Sequence, residues 1–182
     1  NDNTLAPWDE LLADMGAKIV KSRRGYVKRL ETLAADKHAF LTGGKERLGL
    51  EYEGADGEGV DDIKRALLGK LAADRESDLR LKYTHSGPHK DDIKIAVDGV
   101  DVRAYGSQGQ QRTVALAMKL AETALLTDAL GTSPVLLLDD VFSELDGSRR
   151  ERLLAALDGF QSIVTATDRD LFDGFDVNII DI

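Results

Sequence analysis

Apolar positions recur at helical spacing from the start of the chain: Trp8, Leu11, Leu12, Met15 and Ile19, then Val27, Leu30, Leu33, Ala34 and Phe40. Pro7 suits the first turn of this helix, and Gly43-Gly44 suits its end. Roughly 35 residues of helix would reach about 50 Å, an arm-like element, unless Gly16 and Gly25 bend it or divide it in two. Residues 48–53 (Leu-Gly-Leu-Glu-Tyr-Glu) alternate and predict a short strand, followed by a loop over 54–59. A second helix places Ile63, Ala66, Leu67, Leu71 and Leu79 on its apolar positions, with Asp61 or Asp62 as the expected cap. Residues 1–82 therefore predict a mostly helical region, and the pattern changes at Tyr83.

Beyond Tyr83 short strands alternate with helices, an α/β pattern. Residues 93–103 flank Asp98-Gly99 with alternation on both sides, and Asp-Gly supplies the positive φ angles of a type I′ hairpin. A helix over about 109–128 carries Val114, Ala117, Met118, Ala121, Ala124 and Leu125 on one face. Residues 131–134 break it before Val135, Leu136, Leu137 and Leu138, which read as a fully buried strand. A helix over 148–157, with Leu153, Leu154 and Leu157 on one side, precedes a strand over 162–166, and residues 177–180 predict a last strand. Strand, helix, strand after Pro134 implies a right-handed crossover and at least one parallel pair. Two regions are expected, 1–82 and 83–182.

Composition narrows the class. A chain of 182 residues can bury a real core. It starts at Asn1 rather than Met, which reads as a piece of a longer protein. No stretch has the length of a transmembrane helix and no leader pattern is present, so a soluble, cytoplasmic protein without a membrane partner is expected. Without cysteine there is neither a disulfide frame nor a thiolate metal site. The net charge of −9 argues against nucleic acid as a partner, yet its distribution matters more than its sum. Lys18, Lys21, Arg23, Arg24, Lys28 and Arg29 fall within twelve positions holding no acid. This cluster is either a phosphate-binding patch or a solvated helix face.

The chemistry concentrates in residues 105–146. Tyr105-Gly106-Ser107-Gln108-Gly109-Gln110-Gln111-Arg112 is a small-residue turn at a helix start, where an anion is welcome. Asp139 and Asp140 end an apolar strand at the edge where open α/β sheets place their ligands. Together these point to a nucleotide phosphate with Mg²⁺. Each feature has a plainer use: a chain surfacing, an ordinary helix start, and Asp146 as the N-cap of the next helix. Arg112 either adds charge or pairs with a nearby acid. His85 and His89 have a zinc-like spacing that Pro88 spoils, and His38 reads as a helix-surface residue.

Ser107-Gln108-Gly109-Gln110 resembles the signature motif of ABC-type ATPases, residues 136–140 their Walker B strand, and Ser143-Glu144-Leu145-Asp146 their D-loop. With Gly87-Pro88-His89 upstream and Gln108 to Arg112 in the signature, the wording resembles the RecF family, bacterial recombination-mediator ATPases with an SMC-like head. The specific likeness covers residues 83–168; earlier residues resemble the family's helical insertion more loosely. The resemblance implies an α/β fold, the C-terminal lobe of an ABC-type ATPase head over 83–182 with an insertion, or arm, domain over 1–82. It implies that Asp139 holds Mg²⁺ through water. Asp140 stands where many ABC proteins have a glutamate orienting the attacking water, so slow hydrolysis is expected. The signature would serve ATP held by a partner subunit. Thr167 falls where a phosphate-sensing histidine is usual, which puts that role in doubt. No G-x-x-x-x-G-K-[ST] occurs in the sequence, so a Walker A loop is expected in a preceding half and the chain alone is expected to be inactive. Implied partners are gapped or junction DNA, a second copy in an ATP-dependent homodimer, RecR and RecO, in a nucleoid-associated setting. Two rivals are an SMC-like DNA-tethering head, against which the lack of sustained heptads counts, and a metal-dependent nuclease built on Asp139 and Asp140.

Overall fold

The helical periodicity that starts near Trp8 runs unbroken, and helix α1 spans Ala6–Thr42. Neither Gly16 nor Gly25 divides it. Gly16 is instead a point of close approach, since a Cβ there would lie 3.1 Å from Leu67 Cδ1 and 3.2 Å from Pro88. Gly43 and Gly44, at φ +66° and +73°, end the helix as expected. Gly44 N–H donates to Ala39 O and Gly43 N–H to Phe40 O, the paired bonds of a Schellman motif.

The computed structural model describes residues 4–142, 145–172, 175 and 177–180. They fall into two compact units, one of residues up to 32 with 49–96, the other of 33–48 with residues from 97 onward. Residues 83–96 thus pack with the first unit and 33–48 with the second, a division that differs from a break at Tyr83. Sequence pattern marks where element types change, whereas packing lets a long helix contribute to two cores.

In the first unit, strand β1 (Leu48–Glu53) forms as the alternation predicts, followed by helix α2 (Val60–Leu81) and strand β2 (Asp92–Val97). Ala13, Ala17 and Val20 of α1 form a buried cluster with Ile63, Leu67 and Leu71 of α2 and with Ala55. Asp61 and Asp62 do not cap α2. Gly59 occupies that position, and the two acids lie in the first turn, where they favour the helix through its dipole.

In the second unit, the hairpin turn forms with Asp98 at φ +52° and Gly99 at +81°. Its second strand, β3, is only Val100–Asp101. Asp101 accepts from Ala104 N–H at 3.0 Å and starts a short helix, α3 (Val102–Tyr105), so a local cap overrides the alternation through Arg103. Helix α4 (Gln108–Leu130), strand β4 (Leu136–Leu138), helix α5 (Gly147–Leu157) and strand β5 (Ser162–Val164) follow. One sheet has the order β1-β2-β3. The other pairs β4 with β5 in parallel, Leu136 beside Ser162, Leu137 beside Ile163 and Leu138 beside Val164.

Three further expectations are corrected. β4 is not fully buried: Leu136 and Leu138 are, but Leu137 is 73% exposed and its neighbour Ile163 58%. Residues 177–180 form no strand; alternation supplies no ladder partner, and a strand needs one. His38 is not on the surface but fully buried. Among the described residues, no helix is long and apolar enough to cross a membrane.

Candidate functional site

The β4–β5 pairing continues one residue past each strand. Thr165 N–H donates to Leu138 O at 3.0 Å, which sets Thr165 beside Asp139. The Thr165 hydroxyl donates to Asp139 Oδ1 and accepts from Asp140 N–H at 3.0 Å. Asp140 adopts φ +45°, a left-handed conformation that, outside glycine, aspartate and asparagine adopt more readily than most residues, and the chain turns sharply there. Arg112 Nη1, just over one turn into α4, donates to Asp140 O at 3.0 Å. Arg112 therefore meets the main chain at the acid pair, and a shallow pocket beside it is lined by Arg112, Ala115, Leu116, Asp139 and Val141.

The α4 start is built as a capping box. Ser107 Oγ accepts from Gln110 N–H at 3.2 Å, and Gln110 Oε1 accepts from Ser107 N–H at 3.0 Å. Gly106 precedes it because a Cβ there would lie 2.6 Å from Val102 O, a backbone atom that cannot step aside. Ser107, Gln108, Gly109 and Gln110 thus form the positive end of a 23-residue helix.

Phe142 and Leu145 are buried, and Leu145 N–H donates to Phe142 O. Asp146 caps α5 by accepting from Arg149 N–H at 2.9 Å, as the sequence implied. Ser143 and Glu144 lie outside the described residues. Thr167 is exposed two residues beyond the carboxylate contact. The hydroxyl that touches the acids belongs to Thr165, which sequence reasoning missed. The signal was available: extending the strand pairing by one step places Thr165 opposite Asp139. Glu46 and Arg149 were missed as well, and no local motif marks them.

The six basic residues of α1 divide by contact. Lys18 pairs with Asp14 at 2.7 Å. Lys21 donates to Glu58 O at 2.6 Å and Arg23 to Pro88 O at 2.6 Å, while Arg24 donates to both Gly57 O and Ala55 O. Lys28 and Arg29 are exposed, as are Lys18, Lys21 and Arg23. His85 and His89 do not converge on a common centre: His85 contacts Asp78, and His89 Nε2 lies 3.0 Å from Thr84 O.

The exposed oxygens of Asp139 and Asp140 fit a hard cation such as Mg²⁺. Among the described residues, no group of three or more His, Cys, Asp or Glu side chains gathers to complete a metal shell. A divalent ion here would fill its remaining positions with water and phosphate oxygens, as Mg²⁺ characteristically does.

A helix N-terminus and a two-aspartate strand end, set in a mixed α/β fold, define the class: this is the fold of an ABC-type ATPase. No family model matches the chain. It is 46% identical over 170 residues to the DNA replication and repair protein RecF of Agathobacter rectalis, covering 93% of this chain and 45% of that protein. Against the protein of the same name from Halothermothrix orenii the identity is 43% over 175 residues, covering 92% and 47%. A solved structure of the recombination mediator protein RecF-ATP of the RecFOR pathway superposes with a TM-score of 0.79 at 38% identity, covering 92% of this chain and 46% of that one. The chain belongs to the RecF family and corresponds to the C-terminal part of those proteins. It spans slightly less than half the length of the curated relatives it matches.

Proposed function

We propose that residues 83–182 form the C-terminal lobe of an ATPase head, and residues 1–82 its arm, in a protein that binds DNA during replication and repair. The observation that carries this reading is the shared Thr165 hydroxyl, which holds the backbone of Asp140 and the carboxylate of Asp139 together at the end of β4. A pair fixed in this way is preorganised, and preorganisation is what phosphoryl transfer asks of a protein. Similarity to RecF proteins over most of the chain supports the same assignment.

Bound Mg²⁺ would supply neutralisation of the phosphate oxygens between which charge moves. Asp139 would hold it through water, and Asp140 would orient the attacking water. The Asp140 side chain is one methylene shorter than glutamate, which favours slow, switch-like turnover. Ser107, Gln108, Gly109 and Gln110 would face ATP held by a second copy, so nucleotide would join two heads on gapped or junction DNA and hydrolysis would release them. Asp146 would share that interface. Lys28 and Arg29, with the rest of the α1 cluster, are the candidate phosphate contacts to DNA. RecR and RecO are the proposed partners in loading recombinase, in the cytoplasm and at the nucleoid.

The test uses the full-length protein. Asp140→Asn should retain ATP binding while turnover falls by about 100-fold or more, the range for loss of a general base. Thr165→Val should lower turnover in the same direction, and Thr165→Ser, which keeps the hydroxyl, should restore it. Unchanged turnover in Asp140→Asn and Thr165→Val would place the hydrolytic centre elsewhere and sink the proposal.

A further inference from the structure

Behind the α4 start lies a carboxylate that no motif announces. Glu46 sits in the turn between α1 and β1, with its side chain only 17% exposed. Its Oε1 accepts from Gln110 Nε2 at 3.4 Å and from Arg149 Nη2 at 3.2 Å. Its Oε2 is buried without a hydrogen-bond partner among the described residues, 3.6 Å from Nε2 of the fully buried His38.

The two donors occupy matching places. Gln110 is the third residue of α4, whose N-cap is Ser107; Arg149 is the third residue of α5, whose N-cap is Asp146. Each also faces its own cap. Gln110 Oε1 accepts from Ser107 N–H, while Arg149 N–H donates to Asp146 Oδ1 and its Nε lies 3.7 Å from Asp146 Oδ2. A chain of contacts therefore runs Ser107, Gln110, Glu46, Arg149, Asp146. In sequence, Glu46 is 64 residues from Gln110 and 103 from Arg149. Both contacts involve an ionised acceptor, and both lie in partly buried surroundings where solvent screens them less.

We propose that Glu46 is a positioning residue whose single carboxylate fixes the spacing between the signature turn at Ser107 and the D-loop turn at Asp146. The two helix starts then move as one body when nucleotide arrives. His38 backs this carboxylate with an uncharged polar wall. The proposal rests on the ATPase reading of both turns given above.

The experiment measures amide hydrogen exchange and ATP turnover in the full-length protein. Glu46→Ala should accelerate exchange at the first turns of α4 and α5 together, by about tenfold or more, as for lost charge-assisted hydrogen bonds. Turnover should fall by as much as about 100-fold at unchanged nucleotide affinity, the penalty of a small misplacement of reacting groups. Glu46→Gln retains an oxygen that can accept from both donors and should recover most of both readouts. Should Glu46→Ala fail to fold, Glu46→Asp, which keeps the charge but shortens the reach, should still show paired acceleration to a smaller degree. Acceleration at only one helix start, or full turnover with both starts loosened, overturns the proposal. Ser107→Arg is run in parallel: if that variant keeps full turnover, the nucleotide-facing reading of the turn fails, whatever exchange shows at Glu46.

Discussion

At the scale of single residues, two side chains act through partners on a neighbouring strand or turn. Thr165 reaches the acid pair from the neighbouring strand, and His38 lies buried against Glu46. Burial lowers the His38 pKa from its ordinary value; the nearby Glu46 and Asp98 carboxylates oppose that shift, and the Arg149 guanidinium adds to it. Because the folded protein prefers the neutral ring, the unfolded chain binds the proton more readily. Stability is therefore complete above about 6.5, the unfolded histidine value, and declines as pH falls below it toward the folded pKa. Denaturation curves over that range should show the slope in the parent protein and a shallower one in His38→Leu. Equal slopes would mean that His38 does not titrate with unfolding. The acid pair was legible in the sequence because strand ends are local features. His38 was not, since a histidine on a helix reveals nothing of the turn that folds back over it.

At the scale of elements, the basic run on α1 is not one kind of feature. Lys21, Arg23 and Arg24 donate to main-chain carbonyls within their own unit, which supplies those groups with a hydrogen-bond partner. Arg24 serves two such carbonyls, and Arg24→Gln should cost about 1–3 kcal/mol of stability by denaturant unfolding. Lys28→Gln should leave stability unchanged and, in the full-length protein, reduce the salt slope of DNA binding by about one. A stable Arg24→Gln protein, or an unaltered slope in Lys28→Gln, would count against this division of labour. The elements themselves were mostly legible, since the helical periodicity of α1, the alternation of β1 and the Asp-Gly turn are local. The second hairpin strand was misread because Asp101 caps a helix there, a choice that periodicity does not display.

At the scale of the whole molecule, the β4–β5 pair carries exposed apolar side chains and the Asp139–Thr165 contact on one face. Leu137 and Asp139 are two apart on one strand, Ile163 and Thr165 two apart on the line of the other, and all four are exposed. Parallel sheets in proteins are characteristically covered on both faces. The curated relatives that this chain matches are about twice as long, and the remainder of such a protein is the cover we propose for this face. Whatever packs on Leu137 and Ile163 also brings its own groups to Asp139. The chain alone should therefore bind hydrophobic dyes, and Leu137→Ala should lower that binding. In the full-length protein the same substitution should instead cost about 2–5 kcal/mol, the range for a leucine lost from a packed core. The same small effect in both settings would mean that the face stays bare. If it is covered as proposed, the face is itself a contact surface between two parts of one polypeptide. On the proposed ATPase reading, those parts made as separate polypeptides should gain turnover only after they associate, at a rate first order in each.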